Sequence, residues 1–288
     1  MPTSQTAELL DQLSRNSVPY ADPLARLDWS QLDREQAWLP ETALSLYGLP
    51  EFRHLDDEQR LRLSQLEFLN LIEGGLWLEG LFIRRLSKIP GRSRHNLPQQ
   101  IYRLHELREE TGHSLMFLEL LRRALPLQVE NRFHDLRTAN WVARYAPMSS
   151  AMFWMAVLIG EEVPDRMNRL IRKQRDEVCP LISDMVSIHI IDEARHIAHA
   201  RQTLAARLPV MPGWQKRLLR PLIQRVFRQF VLAFYFPPAQ VYEAAGLADG
   251  HSWAAAARRN PYRIAFVEQC VQSSAGLLRE HGLPLRWR

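Results

Sequence analysis

Four long stretches of this chain, at about 58–88, 98–124, 148–177 and 180–207, carry apolar residues every three or four positions, the spacing of one buried helical face. None alternates Val, Ile and Thr with polar residues as a half-buried strand does. Proline marks the joints: Pro90-Gly91 follows the first stretch, Pro126 the second, Pro147 precedes the third, and Cys179-Pro180 opens the fourth. Pro164 falls inside the third stretch and predicts a kink or break there. Helices of this length bury their stripes against one another, so the expected fold class is all-α, built on a four-helix bundle. Further helices are expected at about 213–236 and 261–282, and the first 55 residues read as short pieces with loops. The expected organisation is a single helical domain over 1–288, with an N-terminal extension at 1–57, a core at 58–207 and C-terminal helices at 208–288.

Composition narrows the chemistry. Hydrophobic residues make up 46% of 288 and charged residues 24%, the balance of a globular chain. Cys179 and Cys270 are too few for a disulfide framework or a thiolate metal site, which leaves His and carboxylates as metal ligands. A reducing, cytoplasmic setting follows as the expectation. No signal peptide is legible at the N-terminus, and the most apolar stretch, Ala151 to Gly160, is too short to span a bilayer. The net charge of +5 is mild, and no polybasic tract interleaved with aromatics argues for nucleic acid.

The apolar stripes carry acids and histidines where a plain bundle would carry Leu or Ala. Buried alone such groups are costly, whereas they are favourable ligands of a divalent metal. Glu110-Thr111-Gly112-His113 and Glu193-Ala194-Arg195-His196 are Glu-x-x-His pairs on the second and fourth stretches, each able to aim a carboxylate and an imidazole at one point. A third match, Glu51-Phe52-Arg53-His54, follows Pro50 outside any apolar stripe and reads as coincidence. His189 precedes Glu193 by four residues and His196 by seven, so all three share one face. His199, a turn further on, reads as a surface or capping residue.

A carboxylate-bridged pair of metals needs one more Glu from each of the other two helices. Periodicity leaves Glu161 and Glu162 both open on the third stretch, and Glu73 and Glu79 on the first, with Glu67 behind them. Glu162 and Glu73 are preferred, the latter for its place nearer mid-helix. Asp192 and Glu109, each just before a ligand Glu, are suited to orient the histidine of the opposite helix; the alternative is that both are surface acids, with Asp192 paired to Arg195. Phe117, Trp77, Phe153 and Trp154 could line an apolar pocket, although aromatics at helical spacing are more often core.

Glu73, Glu110-x-x-His113, Glu162 and His189-x3-Glu193-x2-His196 together resemble the di-iron N-oxygenases of the p-aminobenzoate N-oxygenase (AurF-like) family. The feature that sets this family apart from common ferritin-like proteins is the extra histidine, here His189. The resemblance covers roughly residues 60–205. It implies a ferritin-like core, two iron ions held by Glu73, Glu110, His113, Glu162, His189, Glu193 and His196, O2 as co-substrate, and oxygenation of an amine nitrogen. Oxidation at carbon and a ferroxidase-like metal-binding role are the competing functions. The expected partners are a small aromatic or lipophilic amine, an external electron donor and, as a candidate, a second copy of the chain in a homodimer; neither nucleic acid nor a membrane span is expected.

Overall fold

The computed structural model describes residues 4–88, 96–125, 127 and 133–288. Among them no strand occurs, and the helices are α1 (Ser4–Ser17), α2 (Pro23–Arg26), α3 (Asp57–Leu86), α4 (Leu97–Ala124), α5 (Arg137–Tyr145), α6 (Ala151–Lys173), α7 (Pro180–Arg207), α8 (Gly213–Tyr235), α9 (Ala239–Ala244), α10 (Gly250–Arg259) and α11 (Pro261–Glu280). The fold is all-α, as the periodicity predicts. The joints expected at Pro90-Gly91 and Pro126 lie outside the described residues.

The bundle consists of two pairs, α3 with α4 and α6 with α7, facing each other. Local chemistry sets the helix starts. Asp56 and Gln59 form a reciprocal capping box at the head of α3, the Ser150 hydroxyl accepts from the Phe153 N–H at 3.2 Å to cap α6, and Pro180 occupies the first turn of α7. Every residue of α3 from Leu63 to Ile72 is buried. One face meets the bundle, and the other is covered by the segment before it, where Gln65 donates to the Arg34 carbonyl and Ser45 donates to Glu67. The main apolar cluster runs from Leu27 and Trp38 through the four bundle helices to Leu283 and Trp287, so both flanks pack onto the core. Each large side chain buried there contributes about 1.5–3 kcal/mol.

The structure departs from the sequence reading in three places. α6 continues through Pro164, with no break, and ends at Lys173, a short 3-10 turn following at Arg175–Glu177. The N-terminal piece is a 14-residue helix, α1, whose Leu10 and Leu13 are buried as it packs on α4. The short helices α9 and α10 also appear between the two expected C-terminal helices.

Two glycines in mid-helix explain how aromatic rings reach the centre. A Cβ on Gly75 would lie 2.9 Å from the Phe117 ring, and one on Gly74 would lie 2.7 Å from Phe133 and 2.9 Å from Phe234. Each glycine costs the helix about 1 kcal/mol relative to alanine. In exchange α3 lets these rings pack against its backbone.

Candidate metal centre

α7 places His189, Glu193 and His196 on one buried face, and α4 places Glu110 and His113 opposite them. From α3 comes Glu79, which is also buried. Metal-binding atoms of Glu79, His113, His189 and Glu193 all lie within 4.8 Å of one another, and so do those of Glu110, Glu193 and His196. Glu193 belongs to both groups. Its Oε1 lies 3.3 Å from His113 Nδ1 and 3.4 Å from His189 Nε2, while its Oε2 lies 3.2 Å from His196 Nδ1. Glu110 divides its oxygens in the same way, Oε2 at 3.5 Å from His113 Nδ1 and Oε1 at 3.2 Å from His196 Nδ1. Two carboxylates that each serve two neighbouring points are what a bridged pair of cations requires. From α6, the buried Glu161 is hydrogen-bonded to Glu193 and feels the charges of Glu110 and His196.

Glu73 and Glu162 lie outside this cluster. Six residues on a helix turn through about 600°, so Glu73 faces some 120° away from Glu79. It is half-buried. Glu162 is one residue from Glu161 and about 100° round the helix, and it accepts from Arg201 Nε at 2.5 Å. Glu67 is buried on the far side of α3, where the Ser45 N–H donates to both of its oxygens at 3.1 Å. Glu51 and His54 are exposed in a 3-10 turn.

The histidines are held from behind. His113 Nε2 lies 3.2 Å from Asp192 Oδ2, and His196 Nε2 lies 2.9 Å from Glu109 Oε2. Each of α4 and α7 thus supplies the carboxylate that orients the other's imidazole. Arg195 ties the two carboxylates together, at 2.5 Å from Asp192 and 2.9 Å from Glu109. Asp192 therefore pairs with both His113 and Arg195. His189 Nδ1 faces Asn168 Nδ2 at 3.1 Å. The sequence reading missed Asn168, although it sits seven residues after Glu161 and so on the same face of α6. His199 is buried rather than exposed, 3.3 Å from Glu106, between the rings of Tyr102 and Trp154.

Electrostatics split the cluster. Burial raises Glu79 and Glu161 well above the ordinary carboxyl range, helped by the charges of Glu110 and Glu193 respectively. For Glu110 burial acts the same way but is outweighed, chiefly by His196, and its carboxyl falls to about 2. Glu193 is likewise drawn well below its usual value against burial, by His196 and His189. Burial opposes charge on His113 and His196 too. The hydrogen bond to Asp192 and the nearby carboxylates of Glu110 and Glu193 hold His113 well above the usual imidazole range, and the charges of Glu193 and Glu110 do so for His196. His189 is pushed down to about 4 by burial.

These residues fit a pair of divalent metals. Glu79 Oε2, Glu110 Oε2, His113 Nδ1 and Glu193 Oε1 are buried, close together, and not aligned to hydrogen-bond to anything. Such orphans are rare unless a further ligand satisfies them. The upward shifts of His113, His196, Glu79 and Glu161 mark a site where the close acids favour positive charge.

A small cavity of about 20 Å³ adjoins His189, walled by Leu71, Ile72, Phe117, Met185, Val186 and Phe234. Asn168 and His189 are the polar residues among its walls. Of the aromatics singled out in the sequence, Phe117 reaches this cavity, 5.3 Å from the His189 ring. Trp77 stacks on Phe133, and Phe153 and Trp154 are buried in the core.

Residues 3–282 match the family described as p-aminobenzoate N-oxygenase AurF. Uncharacterized proteins of Mycobacterium bovis and of Mycobacterium tuberculosis are each 27% identical over 254 residues, covering 83% of this chain and 72% of the relative. Among solved structures, a variant of an R2-like ligand-binding oxidase with a reconstituted Mn/Fe cofactor is 16% identical, covers 93% of this chain and 92% of that chain, and gives a TM-score of 0.53. A second variant of that oxidase is 13% identical, with coverages of 98% and 94% and a TM-score of 0.52. The ferritin-like fold expected from the sequence is the fold observed.

Proposed function

The chain belongs to the p-aminobenzoate N-oxygenase AurF family and is an oxidoreductase with a di-metal centre; from that premise we propose that it is a di-iron oxygenase using O2 to oxidise the nitrogen of a small apolar amine. The observation that carries the reading is the division of Glu110 and Glu193 between two sets of ligands. Glu79, His113 and His189 would hold one iron, Glu161 and His196 the other, and Glu110 and Glu193 would serve both. Bound there, the irons supply the reduction of O2, with electrons from an external donor.

The chain's own residues do the rest. Asp192 and Glu109 fix the tautomers of His113 and His196 and keep the metal-facing nitrogens aimed inward. The protons of His113, His196, Glu79 and Glu161 leave as the site is loaded, so uptake of metal releases acid. The apolar walls beside His189 exclude water and favour an uncharged substrate, and among the described residues no arginine or lysine lines the cavity to receive a substrate carboxylate. Its volume holds about one water, so an amine enters as the Phe117 and Phe234 rings give way.

The test is to load the purified protein with Fe(II) without oxygen, count the iron, then add 18O2, a chemical reductant and a panel of arylamines. About two irons per chain and label on the amine nitrogen are expected. No bound iron overturns the centre; label on carbon alone overturns the nitrogen assignment.

A further inference from the structure

The surface around the start of α8 has a composition that the metal centre does not use. No residue from Pro209 to Leu222 is fully buried; Met211, Leu219 and Leu222 pack against the core, and the opposite face of this turn and of the first part of α8 is open to solvent. Val210 is 78% exposed, Trp214 65% and Leu218 68%, each four residues after the last, which puts Trp214 and Leu218 on one outward face. Single exposed apolar side chains are ordinary, but three large ones in a row on a projecting tip are not.

The charge around them is of one sign. Between Glu193 and Glu243 the sequence has no Asp or Glu, and from 207 to 228 it has Arg207, Lys216, Arg217, Arg220, Arg225 and Arg228. Behind the tip the outward face of α8 continues as Pro221, Arg225 and Arg228. There it borders an open trough of about 670 Å³ whose other wall carries Arg286 and Arg288. The Arg286 N–H donates to Gln224 Oε1 at 2.9 Å, and Trp287 stacks on Phe236 at 5.4 Å, which pin that segment in place. Arg288 has Glu268 at 3.2 Å; among the described residues no Asp or Glu side chain lines the trough itself.

We propose that the Val210–Leu218 tip and the arginine trough behind it dock the protein on the surface of an anionic lipid bilayer. Trp and Leu at a projecting tip, with arginines set back from it, match the order of a membrane interface, where apolar side chains enter the acyl boundary and cations remain at the headgroups. A rigid acidic protein would satisfy the arginines but would leave a protruding apolar tip without a groove to enter. No helix among the described residues is long and apolar enough to cross a membrane, so the attachment is peripheral.

Co-sedimentation of the full-length, metal-loaded protein with vesicles tests the proposal independently of turnover. The protein is expected to sediment with phosphatidylcholine vesicles containing phosphatidylglycerol, not with phosphatidylcholine alone, and to be released in part by salt, leaving a salt-resistant fraction. Each arginine near the surface is worth about fivefold in binding, so Arg225→Gln with Arg228→Gln should weaken it about thirtyfold. Trp214→Ala with Leu218→Ala should abolish the fraction that survives high salt. All four positions are exposed, and an unchanged circular-dichroism melt checks that the variants fold. The proposal is overturned by no binding to anionic vesicles, by binding that neither pair of substitutions weakens, or by a dimer that Trp214→Ala with Leu218→Ala splits into monomers. Displacement from the vesicles by polyglutamate without a salt-resistant fraction would also overturn it, in favour of an acidic protein partner.

Discussion

The three histidines of the centre are supported unequally. His113 and His196 each have a carboxylate behind the ring, Asp192 and Glu109, and both are held well above the usual imidazole range. His189 has an amide, Asn168, and burial takes it down to about 4. A carboxylate behind an imidazole raises its basicity as a ligand, and an amide does so far less. In the proposed centre the two sides would therefore differ in donor strength. The side with the weaker donor, His189, is the one that opens onto the apolar cavity.

The strongest way to break this picture is to remove a residue common to both sides. Glu193→Ala should lower bound iron from about two per chain to less than one, measured by metal analysis. Retention of both irons would show that Glu193 does not bridge. Asp192→Asn and Glu109→Gln should each weaken metal binding roughly 10–100-fold in competition with a chelator. Asn168→Ala should cost less than either, and Asn168→Asp should tighten binding by giving His189 a carboxylate. Equal losses for Asn168→Ala and Asp192→Asn would erase the asymmetry.

The protons of the centre give a pH test. Glu79 and Glu161 are raised above the ordinary 4.5, and His113 and His196 above 6.5. Groups raised on folding stabilise the metal-free chain below their ordinary values, and that stability is lost as pH climbs through the raised ones. Glu110 and Glu193, drawn down, contribute stability above 4.5 that is lost only in acid, for Glu110 as pH falls towards about 2. Metal displaces the first set of protons, so the gap between the melting temperatures of loaded and metal-free protein should widen as pH rises. Melts of both forms across neutral pH measure it; a constant gap would mean that loading releases no protons. The smallest effects are expected outside the cluster. Glu162→Gln and Glu73→Gln should both keep two irons, and Glu162→Gln should cost within about 1 kcal/mol of stability, because its partner Arg201 is 35% exposed.

Much of this was legible before the fold was known, and the reason differs from residue to residue. Glu110 with His113, and His189 with Glu193 and His196, are local patterns, since a helix places residues three, four and seven apart on one face wherever it packs. Asp192 and Glu109 were legible for the same reason, being neighbours of those residues. Asn168 carried a signal in its spacing from Glu161, but an amide does not stand out as acids and histidines do. α1 was hidden because its buried face has only two large apolar residues, Leu10 and Leu13, beside Ser14 and Ser17, and the break that Pro164 could signal does not occur, since α6 runs on to Lys173.

By itself the sequence determined that the chain is helical, which stretches form the bundle, and that two of its helices bring acids and histidines to one face. These follow from hydrogen-bonding geometry within single helices. Only the tertiary structure decided that Glu79 rather than Glu73, and Glu161 rather than Glu162, point into the cluster. Within one helix such pairs have comparable apolar neighbours. The rotation of α3 and α6 about their axes, set by packing against the rest of the molecule, separates them.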